Sequence, residues 1–140
     1  MTRTATCVCR AFRVIATGEP NAVGICHCTE CQRRSGVPLT YNAYFPKAQV
    51  RLEGEHRVYA REAAEGRKVY NHFCPTCGTT VCWTADRLVD SYGIAVGAFN
   101  DKTFPPPTFS GWEESKHPHA SVPDGVQHFP QNRSVAKRQG

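Results

Sequence analysis

"CPTCGTTVCWTA", residues 74–85, is the stretch on which the fold turns. A Cys-x-x-Cys pair serves either dithiol redox chemistry or metal ligation. The redox use places a helix directly after the motif, within a βαβ unit. Here Gly78 closes a short turn, and Thr79, Thr80, Val81, Cys82, Trp83 and Thr84 follow it. Such β-branched and aromatic residues favour a strand. The motif therefore reads as a knuckle leading into a strand, a shape whose free backbone N–H groups support thiolates on a metal.

The remainder of the chain has the same texture. Strand-like runs recur as "TATCVCRAFRVIA", "TYNAYFP", "HRVYA", "KVYNHF" and "SYGIAVGAF". Polar segments such as "GEPNA", "LEGEH", "AAEGR" and "TADRLVD" supply turns between them. One or two helical turns around "TECQRR" are the only helix expected. "TFPPPTFSG", residues 103–111, reads as a crossing loop, because proline lacks the ladder donor. "WEESKHPHASVPDGVQHFP" reads as a long irregular arm. The expectation is one all-β domain over residues 1–131 and little fixed structure over residues 132–140.

Neither the first residues nor any later run carries an apolar stretch near the ~20 residues of a membrane helix. A cytoplasmic location is therefore expected, and thiols stay reduced there. Eight cysteines in that setting point to metal, with four disulfides as the alternative. The formal charge of +5 invites a nucleic-acid reading. Seven thiolates on two dications would bring it to +2, and Arg133, Lys137 and Arg138 near the C-terminus account for three more charges. No basic stripe interleaved with aromatics is present elsewhere, so no nucleic-acid partner is expected.

Cys7 and Cys9 alternate as two residues on one face of a strand would. With Cys74 and Cys77 they make a four-thiolate set, the usual pattern of structural zinc. Cys26, Cys28 and Cys31 form a second set in "CHCTECQRRSG", residues 26–36. Three thiolates without an obvious fourth protein ligand describe an open site, the arrangement of catalytic zinc. Closure by His27 or by Cys82 is the competing reading, as is a different pairing of all eight cysteines. His27 lies between two ligands and would point away from a metal they share, which suits support or packing. Cys82 sits on an apolar strand, where a free buried cysteine is common. Three thiolates overbalance a dication, so the site should favour another sulfur ligand over hydrolytic water.

The motifs "CVCRAFR", "CHCTECQRRSG", "CPTCGT", "GIAVGAFND" and "KHPHASVPDGVQHFP" resemble, in this order, the glutathione-dependent formaldehyde-activating family, which includes the centromere protein V domain. The resemblance implies a β-tent, Mss4-like fold with two zinc ions per chain. It implies structural zinc on Cys7, Cys9, Cys74 and Cys77, and catalytic zinc on Cys26, Cys28 and Cys31. The activity it implies is carbon–sulfur lyase chemistry, the condensation of glutathione with formaldehyde to S-hydroxymethylglutathione. A small-molecule thiol such as glutathione is then the expected partner. The chain departs from the family at Arg10, where glycine is common, at Cys82, where an apolar residue is usual, and at His119, a frequent tryptophan position.

Arg33 and Arg34 follow the second cluster and can pair with substrate carboxylates or simply stay solvated. Ser35-Gly36 reads as a turn or a close approach to the metal. Thr79 and Thr80 can donate to a sulfur or pack the strand. Trp112, His117 and His119 can line a pocket or pin the arm, while His56, His72 and His128 lack ligand spacing. Three functions follow: a carbon–sulfur bond enzyme, a zinc-stabilised binding module, and a thiol or metal sensor. The open coordination position favours the first.

Overall fold

The computed structural model describes residues 1–133. In chain order its strands are β1 (Thr2–Thr6), β2 (Arg13–Thr17), β3 (Ala22–Cys26), β4 (Thr40–Pro46), β5 (Val50–Glu53), β6 (Arg57–Glu62), β7 (Lys68–Phe73), β8 (Thr80–Ala85), β9 (Leu88–Ala95), β10 (Phe109–Gly111) and β11 (Gln127–His128). Among the described residues a single α-helix, α1 (Thr29–Ser35), lies between β3 and β4; short 3₁₀ turns make up the other helical residues there. The architecture is all-β with little helix, in keeping with the Mss4-like class.

Two compact units divide the chain, Met1–Ala22 with Ala43–Phe104, and Val23–Asn42 with the segment from Pro105 onward. The first unit contains the antiparallel sheet β1-β2-β5 and the antiparallel run β9-β8-β7-β6. Strand β8 is covered on both faces, since Val81, Cys82 and Trp83 in succession are buried. Phe12, Val14, Phe45 and Ile94 are fully buried in the same unit. Each stabilises the fold by roughly 1.5–3 kcal/mol.

Strand β1 turns Ala5 and, less usually, Arg3 inward. The Arg3 guanidinium lies 5.0 Å from the Phe104 ring centroid, 3.4 Å from Glu19 and 3.6 Å from Asp101. Its charge is thus paired where it is buried. Asp101 is held below the usual carboxylate range by the Thr103 hydroxyl and backbone N–H, with Arg3 assisting.

In the second unit β10 runs parallel between β3 and β11, with Ser110 opposite Ile25 and Gly111 opposite Cys26. Val23, Ile25, Phe109 and Val126 are its buried apolar side chains. A Cβ on Gly24 would sit 2.1 Å from the Phe109 ring, so only glycine lets this aromatic pack across β3.

Three sequence expectations need correction. "TATCVCRAFRVIA" is two strands, not one: the chain reverses between β1 and β2, with Arg10 N–H donating to Cys7 O at 3.1 Å. Residues 109–111 form a paired strand, because the three prolines end before it begins and leave its ladder donors intact. "SYGIAVGAF" begins earlier, at Leu88, and leaves the sheet at Val96 in a 3₁₀ turn ended by Asn100 at φ 48°. Of the segment expected to lack fixed structure, Asn132 accepts the Trp112 indole N–H at 2.9 Å, and Arg133 lies 4.6 Å from the Phe109 ring centroid. Residues 134–140 lie outside the described residues.

Candidate metal centres

The first unit brings Cys7, Cys9, Cys74 and Cys77 together, with all four sulfurs within 4.8 Å of one another. Cys7 leaves the end of β1 into the turn toward β2. Its sulfur accepts the Phe12 N–H at 3.2 Å and lies 3.6 Å from Cys9 Sγ. Cys9 Sγ is in turn 3.6 Å from Cys74 Sγ. Zn–S bonds of about 2.3 Å place the sulfurs of a tetrahedron about 3.8 Å apart. The cluster fits a four-thiolate ion on distance and on donor chemistry.

The two knuckles are tied by Thr79. Its hydroxyl accepts the Val8 N–H at 3.2 Å and lies 3.3 Å from Cys77 Sγ, to which it can donate. That hydroxyl, with backbone N–H groups at Cys9 and Thr79, pulls the Cys77 thiol down to about 5. Cys74 is lowered mainly by the Cys77 backbone N–H. At Cys9 the Ala11 N–H favours the thiolate, but the Cys7 sulfur, burial and the other cysteines outweigh it and push the thiol up to about 11. Four sulfurs this close cannot all ionise without a cation among them.

Arg10 explains one departure from the family pattern. It sits in the turn at φ 70°, the left-handed region that favours glycine, and its guanidinium bonds the Val8 carbonyl. A side chain there costs about 1 kcal/mol in backbone strain. Arg10→Gly is expected to leave stability unchanged or raise it by up to about 1 kcal/mol, the relief of strain being partly offset by the freer unfolded chain. Urea unfolding of the zinc-loaded chain measures this.

The second unit brings Cys26, Cys28 and Cys31 together, again with sulfurs within 4.8 Å of one another. Cys26 ends β3, Cys28 is the N-cap of α1, and Cys31 lies in its first turn. Cys28 Sγ accepts the Cys31 N–H at 3.2 Å, and Cys31 Sγ is 3.5 Å from Cys26 Sγ. Cys31 is 8% exposed, while Cys26 and Cys28 are half-buried. The Cys26 thiol is pushed well above its ordinary range by hydrogen bonds with Cys28 and Cys31 and by burial. At Cys31 the contact with Cys26 favours ionisation, but Cys28 and burial oppose it and raise the thiol; Arg34 opposes the rise. These donors and separations also suit a thiophilic dication.

No fourth His, Cys, Asp or Glu ligand atom joins this set among the described residues. The His27 ring is fully buried, and its Nε2 lies 2.9 Å from Ser110 Oγ. Cys82 belongs to neither cluster: it is fully buried on β8, and burial pushes its thiol up to about 12. None of the eight cysteines forms a disulfide.

Of the two arginines, Arg33 is exposed and pairs with Glu30 at 2.5 Å, whereas Arg34 is half-buried and its charge reaches Cys31. Ser35 caps the Cys31 carbonyl at 2.8 Å, and Gly36 closes α1 at φ 74°. The arm contributes His117, whose Nε2 lies 2.7 Å from Gln32 Oε1; His119 is exposed. Gln32, Ser110 and Glu113 carried no sequence signal, since their partners lie as far as 85 positions away.

The sequence profile described as "Glutathione-dependent formaldehyde-activating enzyme" matches residues 2–115. The chain belongs to that family. A solved structure of a Rhodobacter sphaeroides protein shares the fold at a TM-score of 0.52 and 21% identity, covering 76% of this chain and 92% of that one. Comparison with curated proteins gives no match. For this family member the two clusters that can hold metal are the chemically distinctive feature. Among the described residues no helix is long and apolar enough to cross a membrane.

Proposed function

We propose that the chain is a zinc-dependent carbon–sulfur lyase-type enzyme, binding a thiol such as glutathione at the three-cysteine centre and forming or cleaving its adduct with a small aldehyde. The observation that carries the reading is the contrast between the clusters: four sulfurs close one, and only three line the other. Cys7, Cys9, Cys74 and Cys77 would hold a structural zinc; Cys26, Cys28 and Cys31 would hold the catalytic one. A zinc ion bound there supplies a position where a thiol, of ordinary pKa about 8.5, is kept as thiolate near neutral pH.

The chain's own groups do the rest. Three cysteine charges exceed the dication's by one, which favours a soft ligand over activation of water. Cys26 and Cys28 are the more accessible members of the set, and Cys31 is buried. Arg34, half-buried on α1 with its charge favouring the Cys31 thiolate, would bind a carboxylate of the thiol. Arg34→Ala is expected to raise KM for glutathione about 10-fold with little change in kcat, the scale of one charge-assisted hydrogen bond. Steady-state kinetics at saturating formaldehyde reads both constants. The expected location is the cytoplasm, where the thiols remain reduced.

Native mass spectrometry with and without glutathione tests the proposal. Two zinc ions per chain and a glutathione-sized adduct are expected. One tightly held zinc and no adduct would move the function to a zinc-stabilised binding or sensing domain.

A further inference from the structure

His27 stands between two candidate ligands, yet its N–H, its carbonyl and its ring Nε2 are all engaged elsewhere. Its N–H donates to Gly111 O at 3.0 Å, and its carbonyl accepts from Gln32 Nε2 at 2.8 Å. Gln32 Nε2 also reaches Ser115 O at 3.2 Å, so α1 and the arm meet on this loop. The ring itself, at 0% exposure, meets the equally buried Ser110 hydroxyl.

That hydroxyl has lone pairs to offer, so it can accept the ring's N–H from Nε2. The other ring nitrogen, Nδ1, is buried and has no hydrogen-bond partner. A bare lone pair fits that position better than an orphaned N–H.

We propose that Ser110 is a positioning residue of the three-cysteine centre: it locks His27 as the Nε2–H tautomer and thereby holds Cys26 and Cys28 at ligand spacing. With the ring, the N–H and the carbonyl of His27 all anchored, the sulfurs on either side project to the other face of the chain. Groups that orient ligands in this way change metal affinity by about 10- to 100-fold when removed. The inference rests on the reading of Cys26, Cys28 and Cys31 as a metal centre.

The test uses the full chain loaded with zinc and carries its own reference, because the four-cysteine site binds metal independently of Ser110. Chelator challenge followed by native mass spectrometry reads the release of each ion. Long-range ¹H–¹⁵N spectra read the His27 tautomer. In Ser110→Ala, release from the three-cysteine site should quicken about 10-fold while the four-cysteine ion leaves at the wild-type rate.

Three results overturn the inference alone: an Nδ1–H ring in the wild type, wild-type release rates in Ser110→Ala, or equal loosening of both sites, which would mark a general loss of stability. A wild-type chain that binds metal only at the four-cysteine site removes the proposed function, and this inference falls with it.

Discussion

Cys77→Ser is expected to abolish the cooperative unfolding transition of the protein. Cys77 is the point where the two knuckles of the four-cysteine cluster are joined, through the Thr79 hydroxyl that also receives the Val8 N–H. A structural zinc contributes an apparent binding free energy of about 10–16 kcal/mol, which is folding free energy where the site exists only in the folded chain. A domain of this size has about 5–15 kcal/mol of net stability in total. Exchanging one thiolate for a serine hydroxyl forfeits enough of the metal term to exhaust that margin. Around the cluster, the β1–β2 turn is held by Cys7, Arg10 and Phe12 backbone bonds, and the β7–β8 knuckle by bonds at Cys74, Gly78 and Thr79. The readouts are near-UV circular dichroism and zinc content. The variant should lack fixed aromatic signals, and wild type stripped by a strong chelator should look the same. Survival of a sharp thermal transition in either sample would show that the cluster is not what holds this unit together.

The same cluster shows why some of the fold was legible in the sequence and some was not. The Cys74–Cys77 knuckle and the strand after it were readable because each uses the residues its backbone prefers: Gly78 at φ 78°, then Thr80, Val81 and Trp83 in β8. The Cys7–Cys9 turn was hidden because Arg10 occupies a position where glycine would have announced a positive φ. Local sequence there says strand, and the backbone reverses anyway. Strand β10 was masked in the opposite way, by three prolines that end just before it, so that a loop signal was extended over paired residues. The cysteine pairs and the triplet came from local spacing, although Cys9 and Cys74 of the first cluster are 65 positions apart. The support beneath the second cluster was not local: His27 and Ser110 are 83 positions apart, and nothing in either neighbourhood announces the other. The different engagements of Arg33 and Arg34 likewise depend on which face of α1 each occupies, and adjacency alone does not separate them.

Cys28→Ser should have the reverse profile, a folded chain without activity. Cys28 has two roles on α1: its sulfur is one of three in the open cluster, and it caps the helix by accepting the Cys31 N–H at 3.2 Å. Serine is among the best N-cap residues, so the substitution preserves the cap and with it the helix that carries Cys31 and Arg34. Only the ligand is lost. The two remaining sulfurs, Cys26 and Cys31, disfavour ionising together without a cation, so the ion should bind weakly or not at all. Native mass spectrometry should then find one zinc per chain and no glutathione-sized adduct. The thermal midpoint should fall by no more than a few degrees, the scale of about 1 kcal/mol. Condensation of glutathione with formaldehyde should proceed at the rate seen without protein. The pair of variants separates the two sites by mechanism. If Cys28→Ser unfolds as Cys77→Ser does, both clusters are structural and the enzyme reading fails. If it stays folded but keeps the adduct, the thiol binds elsewhere, and the three-cysteine centre loses its catalytic assignment while the family fold stands.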